Sequence, residues 1–162
     1  MAHPSKPAYD AILSTPLPGR KLGIRFEQNV LCSIDYVSSR YADKLPVNGH
    51  ARRVATQLAA YFNNPQRPFS LSLILHGTAF QKRVWHALQN IPSGHTCSYG
   101  ELARKLRTSA RAVGNACRAN PISIAVPCHR VLAKHGLGGY SGKTSGAALN
   151  IKRWLLDHES SG

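Results

Sequence analysis

Acidic side chains are scarce in this sequence. Asp and Glu total 7 against 21 Lys and Arg, so the 162 residues carry a formal net charge of +14. Residues 1–75 hold 9 basic and 4 acidic groups, a net charge of +5, whereas residues 76–162 hold 12 and 3, a net charge of +9. A basic surface attracts polyanions, and nucleic acid is the commonest of them. The charge distribution therefore favours a nucleic-acid interface in the second half of the chain.

Long apolar runs and paired cysteines are also missing. No apolar stretch is long enough for a lipid-facing helix, so a membrane is not an expected partner. The start of the chain lacks the apolar core of a secretory signal, and the 4 cysteines show neither Cys-x-x-Cys nor zinc-ligand spacing. The 8 His are scattered, and we expect no metal site. These absences favour a reduced, cytoplasmic location without disulfides, associated with the nucleoid if the protein is bacterial.

The first half of the chain, residues 1–77, has the pattern of a small scaffold domain. Apolar residues alternate over 22–26 and again over 30–36, on either side of the polar Glu27-Gln28-Asn29, which predicts a β-hairpin. Helical spacing over 51–62 ends at Asn63-Asn64-Pro65, and alternation over 69–75 predicts a third strand. We expect a small antiparallel sheet crossed by one helix, and nothing in this half indicates catalysis.

The second half, residues 78–162, has a mainly helical pattern. An apolar stripe from Phe80 to Ile91 predicts one helix, and Ser98 with Glu101 predicts a capping box that opens another. A third helix, about 109–119, ends before Asn120-Pro121. Two helices joined by a tight turn indicate a helix-turn-helix, whose second helix meets DNA. On that helix the predicted inward residues are Val113, Ala116 and Cys117, and the outward ones are Arg111, Gly114, Asn115 and Arg118.

The segment Val126-Pro127-Cys128-His129-Arg130-Val131 carries the clearest chemical signal. A thiol becomes a strong nucleophile only as a thiolate, and an adjacent His that takes its proton can produce that state. Taken alone, Cys128 would more often be a small buried residue. The motifs around it favour the nucleophile instead.

These motifs are Ser98-Tyr99-Gly100-Glu101-Leu102-Ala103, Arg111-Ala112-Val113-Gly114 and Asn120-Pro121 before the cysteine, and Gly138-Gly139-Tyr140-Ser141-Gly142, Lys152-Arg153-Trp154-Leu155-Leu156 and Glu159 after it. With them the chain resembles the O6-alkylguanine-DNA alkyltransferases, also called methylated-DNA–protein-cysteine methyltransferases. The resemblance is detailed from about Gly77 to Glu159 and holds only in outline before that.

The resemblance implies an α+β fold with a ribonuclease-H-like N-terminal domain and a winged helix-turn-helix-like C-terminal domain. It implies DNA repair by direct transfer of one alkyl group from O6-alkylguanine to Cys128, after which the protein is spent. O4-alkylthymine is left open as a second substrate. No cofactor is needed, because the damaged DNA is itself the alkyl donor.

The resemblance also implies a role for each site residue. Cys128 is the acceptor, and His129 and Glu159 form a relay behind it, with a water molecule between His129 and the thiol. The hydroxyl of Tyr99 donates a hydrogen bond to the base near N3. The other residues around the base are Ser141 near O6, Tyr140 in the same loop, the carbonyls of Cys128 and Val131 on the exocyclic amine, and Asn120 bracing the turn before the active-site strand.

The implied partner is double-stranded DNA in which the damaged nucleotide is flipped into the protein, at a cost of roughly a few kcal/mol. Arg111 would fill the gap in the base stack, and the third helix would enter the minor groove. The small residues Ala112 and Gly114 suit a narrow groove, and Arg118 adds charge beside it. We expect the chain to act as a monomer.

Two segments depart from the family pattern. Leu106-Arg107-Thr108-Ser109 lacks the Gly and Pro that the family usually places in the turn between the DNA-side helices, which leaves the turn geometry open. Residues 142–148 look longer than the usual link to the last helix. That length leaves open the tolerated alkyl size and the matching of Lys152 to a family lysine.

Three other functions remain as alternatives. The first is a non-catalytic protein that senses alkylguanine in DNA, but such relatives replace the nucleophilic cysteine and Cys128 is present. The second is a helix-turn-helix regulator, which would need a dimerisation or effector element that the sequence does not show. The third is a cysteine hydrolase, which would leave the basic surface unexplained.

Overall fold

The computed structural model describes residues 8–141 and 146–161. Within them, strands β1 (Ala11–Leu13), β2 (Arg20–Glu27) and β3 (Val30–Ser38) form an antiparallel sheet in the order β1-β2-β3. The helices that follow are α1 (Gly49–Asn63), α2 (Ala79–Gln89), α3 (Tyr99–Leu106), α4 (Ala110–Arg118) and α5 (Ala147–Ser160). A short strand β4 (Cys97–Ser98) pairs in parallel with β5 (Val131–Leu132), which follows a 3₁₀ turn at Cys128–Arg130. The mixed helix-and-sheet class is as predicted.

The predicted hairpin is formed by β2 and β3. Glu27 pairs with Val30 across a two-residue loop, and the loop residues Gln28 and Asn29 have φ of 49° and 64°. Positive φ at both central residues is the type I′ turn, whose twist matches that of paired strands. The register shifts by one residue at Arg25 and Phe26, which marks a β-bulge.

The strand predicted over 69–75 is wrong. Only Leu73 forms a bridge there, to Leu31, and the third strand of the sheet is β1 instead. The amide N–H of Ser70 donates to the side chain of Gln57, and its carbonyl accepts from the side chains of Gln57 and Arg53. These groups are therefore unavailable for a ladder. The alternating apolar residues reflect one-sided packing of an extended segment on the core.

Helix ends follow local sequence signals. Asn48 caps α1, and Thr78 and Gln81 form a reciprocal capping box at the start of α2. At α3, the Ser98 hydroxyl accepts from the Glu101 amide, which is one half of the box predicted there. The helix about 109–119 is confirmed as α4, with Ser109 as its N-cap.

The turn between α3 and α4 closes without glycine. Arg107 adopts the left-handed conformation with φ of 56°, and the Thr108 amide donates back to the Ala103 carbonyl over 2.9 Å. Arg83 of α2 donates to the Leu106 carbonyl over 2.7 Å, which satisfies another group at the helix end. The helix pair is thus held in place although the usual turn residues are missing.

One hydrophobic core runs through both halves of the chain and fixes the active-site segment. Ile34 of β3 bridges Ile122, and the amide of Ile34 donates to the Pro121 carbonyl over 3.1 Å. The indole of Trp85 donates to the Ala116 carbonyl over 2.8 Å, which anchors α4 on α2. The segment that leads to Cys128 is therefore held by the sheet on one side and by the helices on the other. None of the helices in the described part of the chain combines the length and apolar character needed to cross a lipid bilayer.

Candidate active site

A cavity of about 410 Å³ lies beside α3, α4 and the loop that precedes residue 142. This volume is within the range of small-molecule sites. Helix α4 turns its polar face to the cavity because Val113 and Ala116 are buried on the opposite face at helical spacing. The lining consists of Tyr99, Ala110, Arg111, Gly114, Asn115, Cys117, Arg118, Cys128, Gly139, Tyr140 and Ser141.

Cys128 lies in the wall of this cavity with 6% of its surface exposed. The side chain of Asn120 holds both the thiol and the turn before it. Its Nδ2 donates to the Val126 carbonyl over 2.8 Å and to Sγ of Cys128 over 3.2 Å, and its Oδ1 accepts from the Ile122 amide over 3.0 Å. Asn120 therefore braces the turn that leads to Cys128 and also contacts its thiol directly.

The environment of Cys128 favours the protonated thiol at rest. Burial raises the pKa of Cys128 above its ordinary value. The hydrogen bond from Asn120, the charge of Lys152 and a hydrogen bond from Tyr140 oppose that rise without cancelling it. A base is therefore required to generate the thiolate.

The carboxylate of Glu159 is the centre of a buried network that includes His129 and Arg130, the two residues that follow Cys128. Oε2 accepts hydrogen bonds from the Tyr61 hydroxyl (2.6 Å), Nε2 of His129 (2.7 Å) and Nη2 of Arg130 (2.9 Å). Oε1 accepts from Nε of Arg130 over 2.8 Å. A carboxylate has about four acceptor positions, so Glu159 is fully satisfied. Arg130 also donates to the Ile91 carbonyl over 2.6 Å.

This network fixes the protonation of His129. Burial alone would raise the pKa of Glu159, but the hydrogen bonds from His129 and Arg130 hold it well below its usual range. Burial lowers the pKa of His129 even though Glu159 opposes that shift. The carboxylate is therefore charged and the imidazole neutral at pH 7. Nε2 must then carry the proton given to Glu159, which leaves the lone pair on Nδ1. That Nδ1 is buried and has no hydrogen-bond partner among the described residues.

Lys152 of α5 ties the strand after the nucleophile to the cavity loop. It is fully buried, and its Nζ donates to the carbonyls of Val131 (2.8 Å), Leu137 and Gly139 (3.0 Å). Three donor protons match three acceptors, so the ammonium form is satisfied. Burial lowers the pKa of Lys152 to about 8, which still leaves most of it protonated at pH 7.

Most of the predicted site residues lie together. Those that line the cavity are Tyr99, Arg111, Gly114, Arg118, Cys128, Tyr140 and Ser141. His129 and Glu159 do not line it; both are buried and are joined by a hydrogen bond. Arg111 and Arg118 are exposed on α4, as the helical pattern predicts.

Ala112 and Val131 do not line the cavity. The Ala112 amide bonds the Ser109 cap, and the Val131 carbonyl accepts from Lys152. The Cys128 carbonyl likewise accepts from the Val131 amide. The Tyr99 hydroxyl lies 3.3 Å from the Gly139 carbonyl, to which it donates. Contacts of these residues with a base stay predictions. The expected long link over 142–148 falls partly on residues 142–145, which are outside the described residues.

The sequence analysis assigned no role to four side chains of this site, two of which, Arg130 and Lys152, lie within its motifs. Tyr61 and Tyr36 come from the first half of the chain, where no site residue was expected. They reach Glu159 and Tyr140 across separations of 98 and 104 residues, which no local pattern reveals. Arg130 and Lys152 had a usable signal. Lys152 shares the apolar face of α5 with Leu155 and Glu159, and charged residues on an apolar face usually have buried partners.

Comparison with known proteins shows which family the chain is similar to. A family described as 6-O-methylguanine DNA methyltransferase, DNA binding domain, matches residues 79–161. The methylated-DNA–protein-cysteine methyltransferase of Mycobacterium leprae is 44% identical over 138 residues, which is 81% of this chain and 81% of that protein. The protein of the same name from Haemophilus influenzae is 38% identical over 156 residues, 89% of this chain and 83% of its own length.

Solved structures are similar over nearly the whole chain. Mycobacterium tuberculosis OGT in complex with DNA superposes with a TM-score of 0.78 at 39% identity and covers 93% of this chain and 91% of its own. The O6-methylguanine methyltransferase of the same organism gives a TM-score of 0.76 at 38% identity, with 93% and 92% coverage. The fold and the family match thus define a protein that combines a DNA-binding domain with a buried cysteine in the wall of a cavity. The chain belongs to the methylated-DNA–protein-cysteine methyltransferase family.

Proposed function

We propose that this protein repairs DNA by moving an alkyl group from O6 of guanine to Sγ of Cys128, once per molecule. The observation that carries the proposal is the position of Cys128. Its thiol lies in the wall of a cavity of about 410 Å³ that also borders the arginine-bearing face of α4, and the next residue in the chain is the buried His129. A nucleophile, a base and an orienting carboxylate therefore meet where a flipped nucleotide has room to enter.

The chemical step is a displacement at carbon. The thiol proton passes to Nδ1 of His129 through a water molecule, and the Glu159 carboxylate stabilises the imidazolium that results. Sγ then attacks the alkyl carbon, the S–C bond forms and the C–O6 bond breaks. Guanine takes up one proton in place of the alkyl group, so the proton lost by the thiol is balanced. Ser141 and Tyr99 would contact the base as O6 becomes negative.

The thioether on Cys128 is stable, so the step does not reverse and each molecule acts once. Cys117 also lines the cavity, but breaking a thioether requires more than a second thiol. The alkyl donor is the damaged DNA itself. O4-alkylthymine stays an open second substrate.

DNA binding is assigned to the helix pair. We propose that α3 and α4 act as a winged helix-turn-helix-like unit within residues 78–162, and that residues 1–77 form a ribonuclease-H-like scaffold. Arg111 and Arg118 are exposed on the face of α4 that borders the cavity. Gly114 lies between them and has no atom near its missing Cβ, which leaves room for a DNA backbone or sugar. This face would enter the minor groove of a duplex as a monomer, with Arg111 filling the place of the flipped base.

The test is intact-protein mass spectrometry after incubation with duplex DNA that contains one O6-methylguanine. We expect one methyl group per protein molecule, on the peptide that contains Cys128. The Cys128→Ala variant should gain none and should bind the duplex as tightly as the parent protein. More than one turnover per molecule, or a methyl group on Cys97 or Cys117, would contradict the proposal. A parent protein that binds O6-methylguanine DNA without gaining mass would support the sensing protein instead.

A further inference from the structure

Tyr36 connects the N-terminal sheet to the active-site loop. It lies on β3, two residues after Ile34, whose backbone is hydrogen-bonded to the segment that leads to Cys128. The hydroxyl oxygens of Tyr36 and Tyr140 are 2.5 Å apart, and their rings pack at a centroid distance of 5.9 Å. Tyr140 is 4% exposed and Tyr36 is half-buried, so the contact is partly removed from bulk water. A hydrogen bond in such surroundings is stronger than one in water.

Tyr140 and Cys128 line the same cavity. The Tyr140 hydroxyl favours the charged form of the thiol and acts to lower the pKa of Cys128 against the effect of burial. A phenol has a single proton. If Tyr140 gives that proton to sulfur, its oxygen must accept from Tyr36. Ser123 lines a second cavity together with Tyr36 and Cys128, and its hydroxyl acts to lower the pKa of Tyr36, as a donor to the Tyr36 oxygen would.

We propose that Tyr36 is a positioning residue for the nucleophile, which directs the hydroxyl proton of Tyr140 toward Sγ of Cys128. The donors then run in one direction, from Ser123 through Tyr36 and Tyr140 to the sulfur. Aligned hydrogen bonds polarise one another, so the last donor in the chain stabilises a thiolate better than an isolated phenol does. His129 removes the thiol proton, and the two tyrosines stabilise the negative charge that is left on Sγ of Cys128. This inference rests on the proposed function of Cys128 as the nucleophile.

The test measures how the reactivity of Cys128 depends on pH in the whole protein. Iodoacetamide reacts with thiolates, and the rate is followed by mass spectrometry of the Cys128 peptide from pH 6 to 10. For Tyr36→Phe we expect the pKa of Cys128 to rise by about half a unit, so that the rate at pH 7 falls about threefold. The rates of variant and parent should converge at high pH. Titratable groups that also face Cys128 are Lys152 of α5, Cys117 of α4 and Tyr99 of α3, and none of them is altered in the variant.

A double-variant comparison separates positioning from general damage. Tyr140→Phe should raise the pKa at least as much as Tyr36→Phe, and the variant with both changes should match Tyr140→Phe alone, because Tyr36 acts through Tyr140. Tyr9→Phe is the matched control. It removes a buried hydroxyl that bonds Asp35 on the same sheet, over 2.9 Å, and should leave the Cys128 profile unchanged. Additive shifts, equal slowing at every pH, or a Tyr36→Phe profile that superimposes on the parent would overturn the proposal.

A measurement on the unaltered protein covers the case in which Tyr36→Phe does not fold. With ¹³Cζ-labelled tyrosine, alkylation of Cys128 should shift the NMR signals of Tyr140 and Tyr36 but not that of Tyr9. No shift at Tyr36 would contradict the proposal. The parent protein is also tested with O6-methylguanine DNA. Failure there, with the iodoacetamide profiles as expected, would reject the repair function and leave the role of Tyr36 intact.

Discussion

The hydroxyl of Tyr61 donates a 2.6 Å hydrogen bond to the carboxylate of Glu159. Tyr61 belongs to α1 in the first half of the chain, and Glu159 lies near the end of α5. The carboxylate that is hydrogen-bonded to His129 is therefore also held by a residue far outside the motif region. His158 strengthens the same connection, because its Nε2 lies 2.9 Å from the Tyr61 carbonyl.

Removing this hydroxyl should cost stability. We expect Tyr61→Phe to lower the free energy of unfolding by about 1–2 kcal/mol, because a buried charged acceptor loses one of its donors. The effect is measured by urea denaturation at pH 7.5. Tyr41→Phe is the control, since Tyr41 is 44% exposed and its loss of a hydroxyl should have almost no effect. Equal stability of Tyr61→Phe and the parent would show that Arg130 and His129 satisfy Glu159 without help.

The buried pair of His129 and Glu159 predicts that the protein is less stable in acid. The folded state lowers the pKa of His129 below its unfolded value of 6.5 and that of Glu159 below 4.5. Both groups thus bind fewer protons when folded. Their contribution is complete at neutral pH, and it is lost first as the pH falls below about 6.5 for His129, then below about 4.5 for Glu159.

Urea denaturation at a series of pH values tests this sign. Between pH 7.5 and 5.5 we expect a loss of about 1 kcal/mol from His129. His129→Gln should be less stable overall but nearly independent of pH in this window. His86→Gln, which removes an exposed histidine from α2, should keep the pH dependence of the parent. A parent protein whose stability rises toward pH 5.5 would mean that His129 is protonated beside Glu159 in the folded state.

The left-handed backbone conformation of Arg107 predicts that glycine at this position stabilises the folded protein. A side chain at φ of 56° pays a steric cost that glycine avoids. We expect Arg107→Gly to raise the free energy of unfolding by about 0.5 to 1 kcal/mol, after allowing for the greater freedom of glycine in the unfolded chain. Arg104→Gly is the matched control within α3, where glycine should instead cost about 1 kcal/mol. A destabilised Arg107→Gly would mean that the Arg107 side chain makes a contact worth more than its strain.

The sequence predicts the parts of this site that lie close together in the chain. Helical spacing correctly separates the buried face of α4, with Val113, from the exposed Arg111, because both follow from one local periodicity. Alternation over 69–75 misleads, since one-sided burial without a ladder produces the same pattern as a strand. Contacts such as Tyr36 with Tyr140 depend on how the sheet packs against a distant loop, and no local signal encodes that packing.

Arg111 should matter for duplex DNA and not for a free base. If its side chain fills the place of a flipped nucleotide, Arg111→Ala should slow methyl transfer from duplex DNA on the order of tenfold to a hundredfold. Benzyl transfer from free O6-benzylguanine should be nearly unchanged, because no nucleotide has to leave a stack. Single-turnover rates on both substrates give the comparison.

Arg118→Ala provides the control, because it removes the same charge from the same face of α4. It should weaken binding of damaged and undamaged duplex alike, without a selective loss in the transfer rate at saturating DNA. If Arg111→Ala slowed transfer from the duplex and from the free base equally, Arg111 would act in the transfer reaction itself and not in the flipping of the nucleotide.

The net charge of +14 predicts that DNA binding depends strongly on salt. Each phosphate neutralised by Lys or Arg releases counterions, and the slope of log affinity against log salt is about −0.9 per phosphate. A small protein that docks one helix neutralises on the order of four to six phosphates, which gives a slope of about −4 to −5. Fluorescence anisotropy of a labelled duplex across a salt series measures this slope.

Three comparisons test whether the salt dependence comes from contacts with the DNA phosphates. Undamaged duplex should give nearly the same slope as damaged duplex, because phosphate contacts do not read the lesion. Transfer from free O6-benzylguanine involves no phosphate and should be almost independent of salt. Arg118→Ala should reduce the magnitude of the slope by about one, because one fewer phosphate is neutralised. A parental slope near zero would mean that the excess positive charge plays no part in DNA binding, and the docking of α4 proposed above would then be wrong.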